Sequence, residues 1–152
     1  MPSAWRLVKR RYAAQAWDGE GARQFGGRWN NPGVPVVHAS ETLALALLEV
    51  LVRLQSSELL HAYSAIECEF DEALVHSVDM AALPPGWSRS PAPPELATLG
   101  DAWVASAVSP VLRVPSAVVP LEHNYLLNPR HPQFASIRRG VPMPFPIDLR
   151  LR

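Results

Sequence analysis

From Leu43 to Val52, nine of ten residues are apolar, and the exception is Glu49. A run of this kind without glycine or proline reads as a helix buried on most of its sides, so the rest of the fold must cover it. Its one carboxylate stands out for the same reason. A buried charge is costly unless something pairs with it or uses it. The helix is expected to start after Ser40 as N-cap, with Glu41 at the positive end of its dipole, and to run to about Leu54.

Around this helix the chain alternates strand and turn signals. Residues 5–12 read as a short strand, and 13–33, rich in Gly, Asn and Asp, as a loop. Val34 to Ala39 reads as a strand, with Pro35 marking its start or an edge. Ser64, Ile66, Cys68 and Phe70 alternate with Ala65, Glu67, Glu69 and Asp71, as in an antiparallel strand with one wet face. The stretch from Leu83 to Pro94 holds five of the sixteen prolines and reads as a loop. Glu95 to Ala105 is a helix candidate weakened by Gly100, and Val111 to Val119 a buried strand interrupted by Pro115. Glu122 to Phe134 reads as loop, and Phe145, Ile147, Leu149 and Leu151 as a last strand. Strands outnumber helices. The expected class is α+β, with a mixed, largely antiparallel sheet core and helices against it.

The 152 residues fit a single domain, residues 1–152, with a sizeable core. No segment approaches the ~20 apolar residues of a membrane span, and Met1 to Arg6 lacks a signal peptide's apolar stretch. The lone Cys68 excludes an internal disulfide and fits a reducing compartment. A cytoplasmic protein without membrane contact is expected. Net charge is zero, which makes the whole chain a poor electrostatic match for nucleic acid. The charges are uneven, however. Residues 1–60 carry 7 basic and 5 acidic groups, residues 61–110 carry 1 and 7, and residues 111–152 carry 6 and 2. An anionic small ligand suits the basic ends, and a basic partner the acidic middle.

Gly26-Gly27-Arg28-Trp29-Asn30 sets a guanidinium on a glycine-rich turn. Glycines let backbone approach a ligand, and arginine offers a planar donor fork to phosphate oxygens. The plainer role for Arg28 is to brace the Trp29 loop. Trp29 reads either as core or as one wall of a pocket for a flat ring. Glu49 reads either as half of a surface pair with Arg53, worth ~0.3–0.5 kcal/mol, or as a carboxylate set against a ribose. In the second role it stabilises an oxocarbenium-like transition state. Ser116 lacks a Gly-x-Ser-x-Gly elbow and is no hydrolase nucleophile. His38, near a strand end, is an acid, a base, a donor or a structural residue. The other histidines are scattered and Cys68 has no cysteine partner, so no metal site is expected.

In order, these motifs resemble the RES-domain family, toxins of bacterial toxin–antitoxin pairs. Trp5-Arg6 and Asp18 to Arg23 look like its opening, and Gly26 to Gly33 like its arginine motif. Ser40 to Arg53 looks like its glutamate helix, Val114-Pro115-Ser116 like its serine motif, and Asn124 to Pro132 like its C-terminal motif. The resemblance implies a fold related to diphtheria-toxin-type ADP-ribosyltransferases. It implies NAD as substrate, no prosthetic group, and inorganic phosphate as a possible co-substrate. Arg28, Glu49 and Ser116 take the family's three named positions. Arg28 would hold NAD, Glu49 would orient the nicotinamide ribose, and Ser116 would position NAD by hydrogen bonding. Trp29 and Asn128 are expected to line the same pocket. His38 stands where the family commonly has tyrosine, which implies a side chain that titrates near neutral pH. The implied partner is a cognate antitoxin with an Xre-type helix-turn-helix DNA-binding region. A homodimer is the default assembly. Three readings follow: NAD cleavage with phosphate or water as acceptor, ADP-ribosyl transfer to a protein, and a non-catalytic interaction module that keeps the fold.

Overall fold

A computed structural model describes residues 1–55 and 61–151. Its strands are β1 (Ser3–Lys9), β2 (Val37–Ser40), β3 (Tyr63–Glu69), β4 (Val75–Ser77), β5 (Val111–Pro115), β6 (His123–Leu127), β7 (Arg138–Arg139) and β8 (Met143–Phe145). The α-helices are α1 (Glu20–Phe25), α2 (Leu43–Leu51) and α3 (Pro94–Ser106). The strands form one sheet in the order β4-β5-β6-β2-β1-β3-β7, with β8 beside the start of β3. Among the described residues only β4 and β5 run parallel; every other pairing is antiparallel. The expected α+β class with a largely antiparallel sheet is what forms.

Strand alternation sorts side chains between the two faces. Val37 and Ala39 join Ala4, Cys68, Phe70, Tyr125 and Leu127 in a cluster on one face. On the other, Leu112, Val114 and Leu126 pack with Leu96 and Trp103 of α3. A third cluster sets Leu7, Tyr63 and Ala65 against α2. By the same alternation His38 and Ser116 belong to the face that carries α2 and α3. That face, where α2 and α3 approach the centre of the sheet, holds the functional candidates.

The apolar run does form α2, but both ends differ from expectation. Thr42 is the N-cap, its side chain accepting from the Leu45 N–H. Ser40 is still strand, and its hydroxyl donates to Asn124 Oδ1 at 2.7 Å inside the core. Glu41 accepts from the His123 backbone N–H at 3.0 Å instead of facing the helix dipole. The helix ends at Leu51, before the expected Leu54. Pro35 precedes β2, which is a central strand and not an edge. Only the last part of β3 is half exposed, because α2 and β8 cover its start.

Two stretches expected as loop hold structure. Residues 13–33 contain α1, and residues 122–134 contain β6, in which Asn124 accepts the Ser40 hydroxyl on Oδ1 and stays buried. The final strand lies earlier than expected: Met143 to Phe145 pair with β3, and Leu149 to Leu151 form a 3-10 turn instead of a strand. Among the described residues, no helix is long and apolar enough to cross a membrane.

Gly100 does not simply weaken α3. A Cβ there would lie 1.7 Å from the Trp29 carbonyl oxygen, so the glycine lets the arginine-motif loop rest directly on the helix. Asp101 fixes the same approach, accepting from the Asn31 backbone N–H at 3.0 Å and its side-chain amide at 2.7 Å. Gly100→Ala should therefore lower the unfolding free energy by about 2 kcal/mol or more, read from urea midpoints. An unchanged midpoint would show that the loop can lift off the helix without loss.

Candidate active site

The loop Gly27-Arg28-Trp29-Asn30 is a tight reversal closed by Gly27 N–H to Asn30 O at 2.9 Å. Asn30 locks it from inside, donating its amide to the carbonyls of Ala22, Asn31 and Val34. The turn sends neighbouring side chains opposite ways. Trp29 is 3% exposed and packs among Val36, Leu96 and Trp103. It is core and does not wall an open pocket. Arg28 stays half buried, and its Nη1 donates to the carbonyls of Trp87 at 2.9 Å and Arg89 at 2.8 Å.

Burial lowers the Arg28 pKa, and the charge of nearby Glu49 works against that shift. The fold thus brings together the arginine loop and the α2 carboxylate expected from the sequence. Glu49 is half buried, and its Oε1 accepts the hydroxyl proton of Ser116 at 2.8 Å. Arg53 does not use that carboxylate; it donates Nε to the Glu49 backbone carbonyl at 3.2 Å. The surface-pair reading of Glu49 therefore fails. Among the described residues Oε2 accepts no hydrogen bond.

Ser116 is fully buried. Its oxygen accepts the backbone N–H groups of Val118 at 3.1 Å and Val119 at 3.0 Å. Both lone pairs are then engaged, and the single O–H is aimed at Glu49. Direct contact between Ser116 and NAD, as the resemblance implied, does not fit this arrangement. The serine orients the carboxylate.

His38 lies on the same face; an added Cβ on Gly27 would come within 4.0 Å of its Cε1. Its pKa is pushed down to about 3 by burial first, then by the charges of Arg53 and Arg6. It is a neutral imidazole at physiological pH, not a group titrating near 7. Arg6 donates Nη1 to the His38 carbonyl and rests over the Trp17 ring, 5.9 Å from its centre. Burial lowers Arg6 to about 10, so it remains cationic.

Asn128 lies elsewhere in purpose. It is 1% exposed, donates to Val104 O at 3.3 Å and accepts from Arg130 N–H at 3.0 Å. His131 joins it, with Nε2 2.9 Å from Ala107 O while Nδ1 accepts from Gln133 N–H. The motif Asn128-Pro129-Arg130-His131 is a turn that closes the end of α3, so Asn128 is structural.

Sequence reasoning missed three contributors: Arg6, Arg53 acting on His38, and the loop carrying Trp87 and Arg89. Arg53 had a signal, one turn after Glu49, that read as a salt bridge. Arg89 had another: it is the one basic residue between positions 61 and 110.

A model of the RES domain matches residues 3–148. The chain belongs to the RES-domain family. Among RES-domain relatives, Toxin Res of Yersinia enterocolitica is 38% identical over 149 residues, covering 97% of this chain and 98% of the relative. The Prs ADP-ribosylating toxin of a Sphingobium species is 38% identical over 141 residues, covering 90% of this chain and 88% of the relative. The solved MbcT–MbcA toxin–antitoxin complex of M. tuberculosis contains a chain of the same fold, at a TM-score of 0.76 and 18% identity. The match covers 98% of this chain and 85% of that one.

His38 gives this RES domain a defined acid response. Between pH 6.5 and about 3 the unfolded chain binds a proton on His38 that the folded chain refuses. Stability should thus be fully present above pH 6.5 and fall as pH drops through that window. The loss should be smaller in His38→Gln, measured as urea midpoints from pH 7 to pH 4. Equal pH slopes in both proteins would remove His38 as the cause.

Proposed function

We propose that this RES-domain protein is the toxin of a toxin–antitoxin system and degrades NAD by cleaving its nicotinamide–ribose bond. The observation that carries this reading is Glu49, fixed by a buried serine 2.8 Å away and electrostatically coupled to Arg28. In this reaction the bonding electrons leave with the nicotinamide nitrogen, which goes from cationic to neutral. Positive charge develops on the ribose carbon. A preoriented carboxylate stabilises that charge at no cost of reorganisation. An oxygen of phosphate or water then bonds to the same carbon.

Other parts of the site suit the same substrate. Arg28 is a guanidinium that can hold the dinucleotide's phosphates. Neutral His38 can donate one hydrogen bond and adds no charge that would repel a cationic nicotinamide. Burial first, then the charges of Arg53 and Arg6, keep it neutral. NAD is a substrate in this account, and phosphate a co-substrate.

The relative named as an ADP-ribosylating toxin supports a second reading, ADP-ribosyl transfer to a protein. Both reactions share the bond broken and differ in the acceptor. The solved complex of the structural neighbour supports a cognate antitoxin as partner, and the family resemblance gives that partner a helix-turn-helix DNA-binding region.

Nicotinamide release from NAD by the purified, partner-free chain tests the reading. Release is expected, faster with phosphate, and lower by about 10²-fold or more in Glu49→Gln. Label from NAD found on protein, with no free ADP-ribose species, would favour transfer. No release from folded protein under either condition would overturn NAD degradation and leave transfer to a protein acceptor or the non-catalytic module.

A further inference from the structure

The loop between β4 and α3 meets the candidate site at one place. Arg28 Nη1 donates to the backbone carbonyls of Trp87 and Arg89 at 2.9 and 2.8 Å. A guanidinium nitrogen shared by two carbonyls pins that loop against the arginine motif. The loop is itself well braced. Trp87 N–H reaches Pro84 O at 3.1 Å, and Arg89 N–H reaches Gly86 O at 3.0 Å. Leu83, Trp87 and Ala92 pack on the same cluster that buries Trp29. One core therefore seats both Arg28 and the turn that carries Arg89.

The Arg89 side chain folds back across Gly86, filling the space a Cβ would need there: its Nε lies 2.2 Å from that position. Gly86 has φ +75°, which already favours glycine. Arg89 is exposed, and among the described residues its guanidinium has no acceptor. The acids nearby are few. Both oxygens of Asp101 are taken by Asn31, and Glu49 is the one charge acting on Arg28. The turn that carries Arg89 is thus held against the arginine loop through its backbone, and its own guanidinium stays exposed beside it. This excess of positive charge suits a ligand group with two negative charges.

We propose that Arg89 is a further substrate-binding residue, taking the pyrophosphate of the dinucleotide at the rim of the site together with Arg28. This inference rests on NAD being the substrate. Arg28 sets the loop in place through its carbonyl contacts, and Arg89 supplies a flexible charge that closes on the phosphates once they arrive. The lone basic residue of an otherwise acidic stretch is thereby put to use.

The test is calorimetric titration of NAD into Glu49→Gln, which keeps the substrate whole, with Arg, Lys or Gln at position 89. Arg89→Gln should weaken NAD binding by about tenfold, and Arg89→Lys by much less. Equal weakening by both would assign Arg89 a structural role in the turn and overturn the proposal. NAD affinity indifferent to position 89 would overturn it too, while leaving NAD as the substrate. Absence of NAD binding with Arg89 in place, in the unsubstituted chain as well as in Glu49→Gln, would sink both this proposal and the NAD reading.

Discussion

The hydrogen bond from the Ser116 hydroxyl to Glu49 joins two parts of the chain 67 residues apart. It closes the site. On one side is α2, whose apolar faces fix it against β1 and β3. On the other is the turn that follows β5, where Val118 and Val119 hold the serine oxygen from behind. Neither part alone aims a carboxylate. Buried between them, the serine has one proton to give and one direction to give it. A carboxylate held this way loses little rotamer freedom when substrate binds, which is what an electrostatic catalyst needs.

Charge around that bond is arranged asymmetrically. Arg6 stays cationic, His38 is held neutral, and Glu49 is the acid whose charge acts on Arg28, while Asp101 is occupied by Asn31. The arginines also have structural tasks: Arg28 pins a loop, Arg53 closes a helix end and Arg6 tethers β2. Folding therefore places the cations before any ligand arrives. On the proposed reading, the anionic middle of a dinucleotide would meet Arg28 and its cationic ring Glu49.

Features with a local cause were legible in the sequence. The apolar run with its lone Glu49 became α2, and the alternation from Ser64 to Phe70 became β3. Proline clusters marked the loop before α3. Features whose cause lies far along the chain were not. Asn124 looked like a turn residue because its partner, Ser40, is 84 positions away. Asn128 looked like a pocket residue, because a polar side chain that closes a helix end and one that binds a ligand are the same letters. Gly100 read as a weakness in a helix until Trp29 was found lying on it. The family resemblance selected Arg28, Glu49 and Ser116, and the structure brings them together. What neither spacing nor resemblance conveyed was that Ser116 works on Glu49.

The central claim is that Ser116 and Glu49 act as one unit, and a double-mutant cycle on nicotinamide release tests it most directly. Ser116→Ala alone should lower kcat by up to about 10²-fold, since the carboxylate is no longer held in place. The same change added to Glu49→Gln should cost almost nothing more, because residues acting as a unit are not additive. Full additivity of the two losses would contradict the account, for it would mean that the serine serves the substrate on its own.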